Sequence, residues 1–271
     1  MKKSRPLLLH LLLLCVLFGF HPALAAGNEA KSRLDIIKET KQLRVCFWPD
    51  YYGISFFDRR TQTLNGIDTD MAREFSKDLG ATVEFVESSF ATLIDDLLQS
   101  RCDIAMFGIG ITSARAQHLR FTSPHMASDI YAITTASNRR IQTWNDIDQP
   151  GRIVAVSKGT LHEPVMRDKL RHAELAVYDS PRAREVEVEA GRADVFMTDF
   201  PYTRQMLAFS DWARLITPPE RFHVTPYGWA IAPGDDPWYE RTERFMQQVK
   251  RDGRLQAAAR RYGLEPILVL E

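Results

Sequence analysis

Short apolar runs alternate along this chain with stretches whose apolar residues recur at helical spacing. Leu34 to Lys41 has helical spacing and leads into a strand, Leu43 to Trp48. Pro49 to Gly53 is a turn carrying Tyr51 and Tyr52, Ile54 to Phe57 resumes extended structure, and Asp58 to Asn65 is a polar turn. The next stretch opens at Gly66 and places Met71, Phe75 and Leu79 on one helical face, with Gly80 as a left-handed stop. Ala81 to Val86 is a strand. Phe90 to Leu98 reads as an amphipathic helix with Leu93, Ile94, Leu97 and Leu98 on one side. Ile104 to Phe107 is a continuous apolar run, the pattern of a strand covered on both faces. Strand and helix alternating in this way predict a parallel α/β layer.

A second series of the same design follows. Ile130 to Thr135 is extended, and residues 137–151 connect through one short helix. Strands are predicted at Ile153–Val156, Leu175–Tyr178 and Asp194–Met197, with helices at Pro164–Leu170, Pro181–Ala190 and Tyr202–Phe209. Val224 to Ala232 is extended, and Trp238 to Tyr262 is one or two helices, with a break at Gly253 and a stop at Gly263. Two α/β units with strands of similar length predict two lobes.

The stretch from Cys102 to Arg115 joins the end of a buried strand to a helix start. Gly108 and Gly110 let backbone N–H groups approach a ligand closely. Thr112 and Ser113 are capping residues, and Arg115 sits in the first turn beyond them. A glycine bend, a helix start and a guanidinium fork suit a carboxylate or phosphate.

Composition narrows the class. Lys2, Lys3 and Arg5, the apolar segment Leu7–Phe20 and the small-x-small Ala23-Leu24-Ala25 predict a signal peptide over residues 1–25, hence export to the periplasm. The 271 residues carry 35 Lys plus Arg against 35 Asp plus Glu, a balance that gives no support for nucleic-acid binding or a polybasic membrane patch. Beyond the signal only Cys46 and Cys102 remain. In an oxidising compartment they are expected to form one disulfide, the alternative being two separately buried thiols. His118, His125, His162, His172 and His223 show no metal-ligand spacing, so no metal and no cofactor is expected.

Seven segments then stand in order: Leu43-Arg-Val, Gly66-Ile-Asp-Thr-Asp70-Met, Asp103-Ile-Ala-Met-Phe-Gly, Ile111-Thr-x-x-Arg115, Phe121-Thr-Ser-Pro124, Gly159-Thr160 and Gly191-Arg-Ala-Asp-Val-Phe-Met-Thr-Asp199. With them the chain resembles bacterial periplasmic solute-binding proteins of the amino-acid type, family 3, over residues 40–265. The resemblance implies a two-lobed α/β periplasmic binding protein type II fold, with lobe 1 at 40–130 plus 228–267, lobe 2 at 131–227, and a ligand cleft between them. It implies that Arg115 holds a ligand carboxylate, that the backbone at Gly108 and Gly110 contacts the ligand, and that Thr160 closes on the carboxylate from lobe 2. Asp199 would pair with an ammonium, and Tyr51 or Tyr52 and Phe90 would pack on the ligand. The implied partners are a small carboxylate ligand, such as an amino acid or a relative, and a membrane ABC permease served by a monomer.

Two positions depart from the family pattern. Gly110 and Leu161 stand where binders of polar amino acids often carry hydroxyls, which predicts a roomier, more apolar wall and a bulkier or aromatic ligand. Two other functions remain open. Ile147-Asp-Gln-Pro-Gly151 echoes periplasmic cyclohexadienyl dehydratases of the same fold, in which a glutamate stands where this chain has His162, beside Glu163. A sensory ligand-binding module is the other.

Overall fold

The computed structural model describes residues 31–271; the expected signal segment lies outside them. The described chain begins with helix α1 (Arg33–Thr40) and strand β1 (Gln42–Phe47), then a small antiparallel sheet of β2 (Asp50–Tyr51), β3 (Ser55–Asp58) and β4 (Thr63–Asn65). Helix α2 (Ile67–Asp78), β5 (Thr82–Glu87), α3 (Leu93–Leu98), β6 (Ile104–Gly110), the single turn α4 (Ser113–Ala116), β7 (Arg120–Phe121) and β8 (Met126–Ser128) follow. β1 lies parallel between β5 and β6, and every residue of β6 is buried. That is the expected result for an uninterrupted apolar run at the centre of a covered sheet.

The chain then enters a second sheet. It comprises β9 (Ile130–Thr135), β10 (Ile153–Ser157), α5 (His162–Lys169), β11 (Glu174–Tyr178), α6 (Pro181–Glu189), β12 (Val195–Asp199), α7 (Phe200–Phe209) and β13 (Ala213–Ile216), in strand order β11-β10-β12-β9-β13. Finally β14 (Thr225–Ile231) returns to the first sheet, antiparallel to β6, and α8 (Asp236–Arg251) and α9 (Arg254–Tyr262) pack on it. Each sheet is therefore parallel at its core, with antiparallel strands on one side. The two passages between sheets run side by side. Asp129, between β8 and β9, accepts from the Phe222 N–H at 2.9 Å, and the Ile130 N–H donates to the Phe222 carbonyl at 3.0 Å.

Local chemistry accounts for most boundaries. Ser180 accepts from the Ala183 N–H at 3.1 Å with Pro181 opening α6, and Asp235 accepts from the Trp238 N–H at 3.0 Å to start α8. Gly253 separates α8 from α9, and Gly263 ends α9. Besides the short strands β2, β7 and β8, three segments differ from the sequence pattern. The polar turn expected at Asp58–Asn65 contains β4, whose backbone pairs with β3. β13 was not expected, because four residues interrupted by Arg214 carry little pattern. Helix α3 begins at Leu93, later than expected, since Ser89 and Thr92 each accept the other's backbone N–H at 3.2 Å and leave Phe90 outside the helix.

In the first lobe Phe75 stacks on Phe245 at 4.5 Å and on Trp238 at 5.5 Å, with Trp229 completing the layer. On the other face of the sheet, Cys46 of β1 and Cys102 before β6 are joined in a disulfide under Leu93 and Leu97, with Cα atoms 5.5 Å apart. The bond spans 56 positions of sequence. Replacing both cysteines with alanine is expected to lower the unfolding free energy by about 4 kcal/mol in the chain-entropy picture. Urea unfolding of the oxidised protein and the double variant checks this; coincident midpoints would contradict it.

Candidate functional site

The cleft between the sheets is assembled from strand ends. Asp68, at the start of α2, is wholly buried and accepts from the Trp229 indole at 2.8 Å, from His125 Nε2 at 2.9 Å and from the Gly108 N–H at 2.7 Å. This carboxylate fixes the bend at Gly108, inside β6. Gly108 takes φ +63°, and a Cβ there would stand 2.9 Å from the Tyr51 ring, so only glycine lets the tyrosine pack over the backbone.

Arg115 follows, its backbone N–H capped by Thr112 at 3.3 Å. Its side chain is buried and makes no ion pair with a carboxylate among the described residues. Nη1 donates to the Gly110 carbonyl and Nη2 to the Gly159 carbonyl, both at 3.0 Å, while the guanidinium lies 5.4 Å from the centre of the Phe90 ring. Burial brings its pKa down to about 10. Phe90 belongs to a cluster with Trp48, Tyr51 and Phe107, ring centres 5.1–5.9 Å apart.

From the second sheet, Asp199 ends β12. One carboxylate oxygen caps α7 through the Tyr202 N–H at 3.3 Å; the other accepts from the Tyr51 hydroxyl and, at 2.6 Å, from the Tyr227 hydroxyl. Desolvation raises the Asp199 pKa against the opposing effect of these donors, and burial followed by the Asp199 charge raises both tyrosines well above their ordinary value. Tyr51 comes from β2 and Tyr227 from β14 of the first sheet, which begins at Thr225, three residues before the expected return to lobe 1 at residue 228. These bonds, with Arg115 to Gly159, hold the lobes closed on each other.

Tyr51, Phe90, Gly108, Arg115, Thr160 and Asp199 thus line one cavity. Gly110 lies behind it, its carbonyl on Arg115. Tyr52 points elsewhere, against Phe56 and Phe209. Thr160 does not cap α5: its hydroxyl donates to the Ser157 carbonyl at 2.7 Å, leaving only lone pairs for a ligand. The wall at Gly110 is apolar but not roomy, which corrects the expectation from its missing side chain. A Cβ on Gly110 would stand 2.9 Å from Leu161 Cδ2 and 3.0 Å from Thr225 Cγ2, so Leu161 fills the space that the glycine leaves. The enclosed space would seat roughly two waters, so a ligand must displace some of the closing contacts.

The cavity also contains Leu161 and His162, noted above as departures from related patterns, and groups that the sequence pattern did not single out, Trp48, Arg184 and Tyr202 among them. Arg184 is one of two arginines on the charged helix α6, and only its inward register distinguishes it from Arg182. His162 is buried with neither ring nitrogen in good hydrogen-bond geometry among the described residues, and burial, then the charges of Arg184 and Arg115, push its pKa down to about 3 against a smaller opposing effect of the Thr198 backbone. Glu163 faces away, accepting from the Gly159 N–H at 3.1 Å and from Arg167 at 3.2 Å. Among the described residues no group of three His, Cys, Asp or Glu is placed to hold a metal ion, and no helix is long and apolar enough to cross a membrane.

A histidine held neutral gives a signed pH dependence. Above its ordinary pKa of about 6.5 the ring is uncharged whether buried or exposed, and the closed fold keeps its full stability. As pH falls from there toward about 3, any state that exposes the ring takes up a proton and gains relative to the closed fold. Between pH 6.5 and pH 5 wild type is expected to lose about 2 kcal/mol more stability than His162→Phe. Parallel urea titrations across that range check it; identical profiles would contradict the assignment.

The chain and its fold have counterparts among known proteins. The chain is 30% identical over 236 residues to cyclohexadienyl dehydratase from Pseudomonas aeruginosa, covering 86% of this chain and 87% of that one. It is 25% identical over 195 residues to ABC transporter arginine-binding protein 1 from Escherichia coli, covering 70% and 78%. The crystal structure of an ancestral amino acid-binding protein, described as a precursor of cyclohexadienyl dehydratase, superposes with a TM-score of 0.78 at 29% identity, covering 85% of this chain and 99% of that one. The two-lobed architecture is that of the type II periplasmic binding proteins. Residues 43–265 match the model of the bacterial extracellular solute-binding proteins, family 3, and the chain belongs to that family.

Proposed function

We propose that this protein captures a small carboxylate-bearing molecule in the periplasm by closure of its two lobes and presents the closed form to an ABC permease. The observation that carries the reading is Arg115, a buried cation between the lobes with no carboxylate among the described residues to pair with. A charge removed from water without a counterion is unfavourable by several kcal/mol, so the site favours an incoming anion. The Gly159 carbonyl, at 3.0 Å from Nη2, occupies the place that a ligand carboxylate would take as a stronger, charge-assisted acceptor. The ligand body would lie among Trp48, Tyr51, Phe90 and Leu161. An ammonium group, where the ligand has one, would reach Asp199 by displacing a tyrosine hydroxyl. The lobes would swing about the paired passages at Asp129 and Phe222.

The alternative of a dehydratase draws on the relative from Pseudomonas aeruginosa, but the geometry favours binding. A general acid must hold a proton within reach of the leaving group. His162 stays uncharged near neutrality, and Glu163 is turned to the Gly159 N–H and Arg167.

Two variants test the reading. Identify the ligand by mass spectrometry of the small molecule that co-purifies, then titrate it calorimetrically. Arg115→Ala is expected to weaken binding by a factor of about 100 or more while the circular dichroism spectrum stays unchanged; unaltered affinity would sink the assignment. Gly159→Ala places a methyl group 2.7 Å from the Ala91 backbone of the opposite lobe, at φ +75°. The local strain should cost about 1 kcal/mol, whereas affinity should fall at least tenfold because closure is blocked. A proportionate loss of stability and no loss of affinity would show that the lobes need not meet there.

A further inference from the structure

A second arginine lines the same cavity. Arg184, on the inward face of α6, is only 2% exposed. Its guanidinium lies 4.6 Å from the centre of the Phe196 ring and 4.8 Å from that of Tyr202, and Nη1 donates to the Met197 carbonyl at 2.8 Å. Nε is buried without an acceptor. The nearest candidate counterion in sequence, Glu185, is committed to the Tyr202 hydroxyl and to Arg182 at 3.2 Å. Asp199 has one oxygen engaged by two tyrosines and the other by the start of α7. Among the described residues Arg184 therefore has no ion pair, just as Arg115 has none.

Stacking between two rings holds a guanidinium in place but does not discharge it. A role confined to propping β12 would need only the one hydrogen bond to Met197, and would not explain a buried guanidinium that lines the cavity with Nε left without an acceptor. His162, with neither ring nitrogen in good hydrogen-bond geometry among the described residues, adds a polar group to the same wall. A ligand ending in a cation, such as arginine, would meet two fixed positive charges here and one carboxylate already engaged.

We propose that Arg184 binds a second acidic group of the ligand, so that the cleft selects small molecules with two acids joined by an apolar body, one on Arg115 and the other on Arg184 with His162 beside it. This extends the carboxylate-binding reading above and rests on it.

The test uses matched pairs that differ in one acid: phenylsuccinate against 3-phenylpropionate, 2-oxoglutarate against 2-oxopentanoate, and glutamate against glutamine. Affinities are measured by calorimetry at fixed pH and ionic strength for the wild type, Arg184→Met and Arg115→Ala. Methionine keeps an unbranched apolar stem that packs between the rings while removing the charge, and a melting curve confirms that the variant is folded. Wild type is expected to bind the two-acid member of at least one pair roughly tenfold or more tightly than its one-acid partner. Arg184→Met should erase that preference while one-acid affinity is retained. Equal affinity within every pair, no two-acid binding at millimolar concentration, or a preference that survives in Arg184→Met would each overturn the proposal. Retained binding in Arg115→Ala would instead overturn the underlying carboxylate site, so the two failures are distinguishable.

Discussion

Arg115 is buried between the two lobes with no ion pair to a carboxylate among the described residues, and the closed cleft is built around that charge. Arg115 is positioned by a single helical turn and by the carbonyl at the end of β6, so it stays in the cleft instead of swinging to water. Its other bond reaches the opposite lobe at Gly159. Neutral carbonyls relieve part of the desolvation penalty but leave the charge in place. The remainder favours an anion, and that preference is the driving force that a closing cleft can use.

The charge is useful only because its surroundings are stiff. Asp68 collects the Gly108 N–H, an indole and an imidazole in a fully buried network, tying α2, β6, β14 and the segment before β8 into one block. The disulfide braces β1 to the start of β6 on the other face of the sheet. The first lobe is thus a rigid platform carrying Arg115, Tyr51 and Phe90, while the second brings the Ser157–Leu161 loop, Asp199 and Arg184 to it. Satisfied buried polar networks hold such geometry because any displacement leaves a buried donor or acceptor unpaired.

What was legible in the sequence follows from the reach of each signal. Apolar periodicity marks β1, β5, β6 and α2 because burial on a regular element repeats along the chain. The glycines at 108 and 159 stand out because a bend and a close approach each demand that residue type. The strands β4 and β13 were not legible, since their pairing is set by neighbours far along the chain. Likewise, nothing local distinguishes Arg184 from Arg182 two residues earlier; inward register on α6 does, and register depends on the packed sheet. The Gly110–Leu161 pair makes the same point for volume. Read singly, each position predicts empty space, yet together they fill it, because a core wall conserves total volume more strictly than the size of any one side chain.

The closed cleft is stabilised by contacts that a ligand must replace. Two tyrosine hydroxyls on the Asp199 carboxylate and a carbonyl on Arg115 join the lobes through charge-assisted hydrogen bonds, each worth about 1.5–3 kcal/mol against water. A ligand gains affinity only by the difference between its own contacts and these. A carboxylate displacing the Gly159 carbonyl exchanges a dipole for a full charge, which is favourable. An ammonium displacing a tyrosine hydroxyl from Asp199 leaves that buried hydroxyl in need of a new partner. On the proposed reading the site would therefore reward acidic groups more than basic ones, even though its carboxylate and its arginine lie in one cavity.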